Sequence, residues 1–207
     1  MNHPPMLKER AEQILASARI LFGERGMHGV SVRDIAEHAG VKKAAVFYYF
    51  DGKDDLLERI LAGYYASHAA ALESAFQAGG TLRERLQGTI DAYLDFVLAN
   101  GNYARLVQGL IASNPEWHRH LQRNLEPLFR WTQAALSELS PEQGPLAARQ
   151  FFITLSGAVI NTFTYAPVLE LMWGDDPLSE AGIAERRAHL HWVVDALMDK
   201  LQASQDR

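Results

Sequence analysis

The chain has 207 residues, 48% hydrophobic and 22% charged, which suits one medium domain or a small domain joined to a larger one. A formal net charge of −5 excludes indiscriminate coating of nucleic acid, so any DNA contact has to rest on locally placed lysines and arginines. There is no cysteine, which excludes disulfides, thiolate metal sites and thiol nucleophiles. The opening MNHPPMLKERAEQ lacks the apolar run of a secretion signal, so a cytoplasmic protein is expected.

Apolar residues recur three and four apart almost throughout, and β-branched alternation is absent, so an all-α fold is expected. A first helix is read from about Met6 to Arg25, with Ile14, Leu15, Ala18, Leu21 and Phe22 on one face and Gly26 and Gly29 breaking it. Two short helices follow, roughly Val32 to Ala39 and Lys42 to Phe50, then a longer one from Lys53 to Phe76. After the turn at Gly79-Gly80, a fifth helix spans about Leu82 to Leu98 and ends at Asn100-Gly101-Asn102, residue types that tolerate left-handed backbone.

Tyr103 to Ala112 reads as a short sixth helix. Asn114-Pro115-Glu116 reads as cap, first-turn proline and first-turn acid of a seventh, which Pro127 should kink or split. An eighth helix is expected from Leu146 to Tyr165, stopping before Pro167, and a ninth from Gly182 to Leu201, with the last six polar residues frayed. Phe151 to Leu169 carries no charge and approaches the length of a membrane span. Its Thr154, Ser156, Asn161, Thr162, Thr164 and Pro167 point instead to a helix buried on several faces, and no membrane contact is expected.

The most informative stretch is Val30 to Leu57, VSVRDIAEHAGVKKAAVFYYFDGKDDLL. Ser31 and Asp34 are spaced to cap a helix start in a box-like way. A small residue at Ala36 lets two helices cross closely, Gly40 supplies left-handed backbone for a tight turn, and Ile35, Val41 and Val46 close a small core. Such a helix-turn-helix presents its second helix to the DNA major groove.

This stretch resembles the DNA-binding region of the tetracycline-repressor (TetR) family. In that family a first helix ending in glycine leads to a helix-turn-helix, an aromatic run and a lysine that opens helix four. Phe47-Tyr48-Tyr49-Phe50, Asp51-Gly52-Lys53 and Asp54-Asp55-Leu56-Leu57 carry the resemblance, with Ile14, Ala18 and Phe22 upstream. It covers the first quarter to third of the chain, and beyond that the likeness is architectural.

The resemblance implies an N-terminal three-helix helix-turn-helix DNA-binding domain over residues 1–52 and a larger helical ligand-binding and dimerisation domain over 53–207. It also implies a homodimer on double-stranded operator DNA, a small-molecule effector, and repression more often than activation. By position, Ser31 and Arg33 resemble phosphate- and base-contacting residues, and Lys42, Lys43, Ala44 and Ala45 the leading end of the recognition helix. Lys43 suits guanine and Ala45 a thymine methyl. Tyr48 and Tyr49 reach phosphates, and Lys53 adds a cation at the start of helix four. Ala44 and Ala45 stand where the family often has glycine and threonine, and Phe47 where it often has tyrosine, so hydrogen-bonded readout falls on Lys42, Lys43 and Arg33.

The family likeness also implies a ligand cavity, for which Tyr93, Phe96, Tyr103, Leu106, Leu110, Phe129, Phe152, Asn161 and Phe163 are candidate walls and an apolar or aromatic ligand the expected occupant. Asn161 stands out as an amide in a helix without charges. The last two long helices are expected to pair with their symmetry mates, through Ser156, Gly157 and Ile160 on one and Leu190, Val194, Leu197 and Leu201 on the other.

An enzyme is the rival reading, but HExxH, paired ExxH, GxSxG, P-loop and GxGxxG patterns are all missing, and neither metal nor cofactor is expected. A helical protein-binding adaptor is the second rival, and it leaves the adjacent Lys42 and Lys43 without a role.

Overall fold

Among the residues that the computed structural model describes, 4–137 and 139–205, there are nine α-helices and no strand. They are α1 (Pro4–Arg25), α2 (Val32–His38), α3 (Lys43–Tyr49), α4 (Lys53–Phe76), α5 (Leu82–Ala99), α6 (Gly101–Ser113), α7 (His118–Ala135), α8 (Ala148–Trp173) and α9 (Glu180–Gln205), with one 3-10 turn, Pro115–Trp117, ahead of α7.

Local chemistry sets most of these limits. Ser31 and Asp34 form a reciprocal box at the start of α2, and Thr81 and Glu84, a pair the sequence reading passed over, do the same for α5. Each box satisfies two backbone N–H groups that the first helical turn leaves without partners.

Four expectations are corrected. The Asn100-Gly101-Asn102 break uses no left-handed residue: Asn100 alone leaves the helix, at φ −129° and ψ 31°, and α6 begins at Gly101. Asn114 makes no side-chain cap; a 3-10 turn follows it, and α7 starts at His118 and continues through Pro127. The eighth helix does not stop before Pro167 but runs on to Trp173. The proline removes one donor, the partner of the Phe163 carbonyl, a local cost of about 3 kcal/mol that the turns on either side outweigh. What stops α8 is Gly174, at φ 81°, whose N–H donates to the Glu170 carbonyl at 2.9 Å. Finally, α9 continues to Gln205, past the expected end at Leu201; Asp206 and Arg207 lie outside the described residues.

The chain divides into two compact units, and the division differs from a cut after residue 52. The first unit takes the chain up to Tyr65 together with Arg105–Gln122; the second takes Ala66–Ala104 and the chain from Arg123 onward. The first half of α4 buries Leu56, Leu57, Ile60 and Leu61, so it belongs with the short helices before it. In the first unit α1 packs on α2 and α3, with Ile14, Ala18, Phe22, Ile35 and Val46 fully or almost fully buried. In the second, α5 packs on α8 and α9 around Leu94, Val97, Val159, Leu190 and Leu201.

Candidate nucleic-acid interface

The geometry of the first unit is built from short-range contacts. The Ser31 hydroxyl accepts from the Asp34 N–H at 3.2 Å, and the Asp34 carboxylate accepts from the Ser31 N–H at 2.7 Å. Those bonds hold the Asp34 carboxyl below the usual carboxylate range, so it stays anionic at neutral pH. Gly40 takes φ 63°, and the next N–H, from Val41, returns to the Ala36 carbonyl at 2.9 Å, which closes the turn between α2 and α3. Gln13 donates from α1 to the Ala39 carbonyl at 2.9 Å and locks the end of α2. Val46 faces inward with no exposure, fixing how α3 sits on the pair.

With Val46 inward, α3 turns Lys43, Ala44, Phe47 and Tyr48 outward. Tyr48 is 71% exposed, and its ring meets Tyr49 edge-on at 4.8 Å. Ala45 and Tyr49 are half-buried, which leaves less of either to present. Lys42 is the exposed N-cap residue of α3 with no side-chain cap bond, and Arg33 is exposed on α2. Eight of the nine candidate DNA-contacting residues therefore lie on α2 and α3 or at their starts. Lys53 stands apart: its ammonium donates to the Met27 carbonyl at 3.1 Å and pins the start of α4 to the loop after α1. Arg59, held by Asp55 at 2.7 Å, covers the ring of buried Phe50 at 5.1 Å.

A contact without a sequence signature joins the same unit from far along the chain. Asn114 donates to His28 Nε2 at 2.6 Å and to Glu116 at 2.9 Å, and His120 meets Glu58 at 3.1 Å. His118 and His120 thus have separate partners, since His118 bonds to the Ile111 carbonyl at 2.9 Å.

The candidate ligand residues fall into separate groups. In the second unit, His68, which sequence reasoning missed, stacks on Phe96 at 4.8 Å and lies 4.5 Å from Tyr93. Burial pushes its pKa down to about 4, so its imidazole is neutral at pH 7. Phe129 and Phe152 meet edge to face at 5.5 Å, while Tyr103 and Phe163 are buried. Leu106 and Leu110 belong to the first unit and are buried. Asn161 is exposed, on an open groove of about 880 Å³ that it lines with Tyr165, Trp173, Arg186 and His189.

The candidate dimer residues also separate. Leu190, Val194 and Leu201 are buried in the second unit, where Val194, Leu197 and Leu201 line a small gap with Leu86, Phe151 and Leu155. Ser156, Gly157 and Ile160 on α8 are half-buried. Within the chain, 22% of the most apolar stretch of α8 is buried. With a mean hydropathy of 1.4 there, α8 is long and apolar enough to cross a membrane by composition alone. Its exposed side chains include Ile153, Tyr165, Val168, Met172 and Leu171, the last 87% exposed, and α9 adds Trp192 at 66%.

Residues 14–60 match the model of the family described as bacterial regulatory proteins, tetR family. The chain is 41% identical over 64 residues to the "Probable HTH-type transcriptional regulator YttP" of Bacillus subtilis, covering 31% of each chain. It is 26% identical over 130 residues to the HTH-type transcriptional repressor KstR2 of Mycobacterium tuberculosis, covering 60% of this chain and 64% of that one. These alignments thus span 31% and 64% of the two relatives' length. The fold is that of the transcriptional regulator FadR from Bacillus subtilis in complex with stearoyl-CoA, with a TM-score of 0.66, 20% identity, and coverage of 92% of this chain and 96% of that one. The segment that matches is the one that builds the helix-turn-helix, and over residues 14–60 the chain is similar to the tetR family of bacterial regulatory proteins.

Proposed function

We propose that the chain is a homodimeric, DNA-binding transcriptional repressor, acting in the cytoplasm, that a small apolar or aromatic ligand releases from its operator. The observation that carries the proposal is the outward face of α3, with Lys42 and Lys43 at its leading end, on the segment matched by the tetR-family model. In an acidic chain, two adjacent exposed lysines on a presented helix supply the local positive charge that phosphate contact needs. The name of KstR2 as a repressor supports the sign of regulation.

The uncovered apolar residues of α8 and α9 support the homodimer. A second copy offers the same face, so each chain covers what the other leaves open. On this reading the interface is made by Ile153, Ser156, Gly157, Ile160 and Trp192 with their neighbours, while Leu190, Val194 and Leu201 support α9 from inside one chain. The aromatic surroundings of His68, Tyr93 and Phe96 support an apolar ligand, as does the stearoyl-CoA of the FadR complex. Ligand would favour dimers whose recognition helices no longer match successive major grooves, about 34–36 Å apart.

The test is selection of genomic DNA by the purified chain, followed by footprinting and addition of fatty acyl and aromatic compounds. The proposal expects a two-fold symmetric protected site, a dimer in detergent-free light scattering, and release by at least one compound class. Failure to select any specific site would overturn it.

A further inference from the structure

We infer that the chain reads its operator in large part through thymine methyl groups, with Phe47 and Ala44 as the specificity-determining residues; the inference rests on the DNA-binding reading above. The four outward side chains of α3 form two rows at i and i+4, Lys43 with Phe47 and Ala44 with Tyr48. Two of the four are pure hydrocarbon. Phe47 is 52% exposed, and Ala44 is exposed beside it. The Lys43 ammonium lies 5.7 Å from the centroid of the Phe47 ring, so the cation and the apolar surface are presented together.

The floor of the major groove offers hydrogen-bond donors and acceptors at every base pair and a single kind of apolar group, the C5 methyl of thymine. A phenyl edge or an alanine methyl pressed against N7, O6 or an exocyclic amine strips water from that group and gives nothing back, which is penalised. Pressed against a thymine methyl, the same side chains bury apolar surface on both partners. Ala45, the alanine that its place in the motif marks for this contact, is half-buried beside inward Val46. That leaves Ala44 and Phe47 for the methyls. Lys43, tethered over the ring, is left to supply the charge-assisted bond beside them.

The test uses the full-length protein and the operator recovered by selection, remade with deoxyuridine in place of thymine at one position at a time. The exchange removes a methyl and leaves every hydrogen-bonding group in place. At least one exchange in each half-site is expected to weaken wild-type binding about four-fold, the worth of one buried methyl. In Phe47→Ala or Ala44→Ser protein the same exchange should cost less than about two-fold. Both side chains are exposed, thermal melting checks that the variants fold, and the wild-type scan needs no variant at all.

If an operator with every thymine replaced is bound as well as the natural one, the inference falls and the DNA-binding reading stands. A methyl effect that persists in full in both variants overturns the assignment to Phe47 and Ala44. If no specific operator exists, both readings fall.

Discussion

The two compact units are tied by polar contacts of different reach. In the helix-turn-helix unit the bonds that shape the reading head are short in sequence: Ser31 with Asp34, Asp55 with Arg59, and Gln13 and Lys53 to carbonyls 26 residues away. The exceptions, His28 with Asn114 and Glu58 with His120, come from the returning segment Arg105–Gln122. In the second unit the ties join α5 to α9 across about a hundred residues. Arg83 meets Asp195 at 3.1 Å and Asp199 at 2.5 Å, and Gln87 donates to Asp195 at 2.8 Å. Asp91 takes both Arg187, at 2.9 Å, and His191, at 2.8 Å. A shape encoded within a few dozen residues is recognisable from that stretch alone, as the match over residues 14–60 shows. A shape that depends on distant pairings leaves no such signature.

The contrast can be broken most forcefully at the core of the first unit. Phe22→Ala empties a fully buried position on α1 and is expected to cost about 3–5 kcal/mol in urea denaturation, with DNA binding lost alongside. A loss of stability with operator affinity intact would mean that the reading head does not depend on that core.

The next effect belongs to the second unit and is read by pH. The folded pKa of His68, about 4, lies below its ordinary 6.5, so between those values the unfolded chain binds a proton that the folded one refuses. The stability from keeping it neutral is complete above pH 6.5 and lost as pH falls towards 4, by about 2 kcal/mol at pH 4.5. Denaturation at pH 7 and pH 4.5 should show a smaller drop for His68→Phe than for wild type. Equal drops would place the acid sensitivity elsewhere.

Ser31→Ala removes half of a capping box and is expected to cost about 1 kcal/mol, seen as a lower melting temperature. The same change should raise the Asp34 pKa towards its ordinary value, because the Ser31 hydroxyl is the main cause of its depression. The smallest effect is expected for Asp91→Asn, under about 1 kcal/mol and shrinking with added salt, because its partners are partly solvated. A cost as large as that of Phe22→Ala would show that polar ties, and not the apolar core, hold the second unit.

The sequence was most legible where a residue type has one job. Gly40 had to take left-handed backbone, Val46 had to point inward, and Ser31 with Asp34 had to cap; each does. It was least legible where a pattern has several solutions. The spacing of Leu190, Val194 and Leu201 marks a buried face, but periodicity is silent on whether α5 or another chain buries it. Pro167 forbids one hydrogen bond, not a helix, so the true end of α8 lay eight residues beyond the expected Tyr165, at Trp173. Asn161 stands out in the sequence as an amide in a helix without charges, and it is exposed; His68 belongs to no sequence motif, and its burial against Tyr93 and Phe96 comes from distant pairing.

The claim on which the rest depends is that α3 meets DNA with its lysines foremost. Operator affinity measured across a range of salt for the wild type and the Lys42→Ala/Lys43→Ala variant tests it directly. The account predicts weaker binding by the variant, a salt dependence reduced by about one phosphate contact for each lysine lost, and an unchanged melting temperature. Equal affinity and an equal salt slope in the two proteins would contradict it.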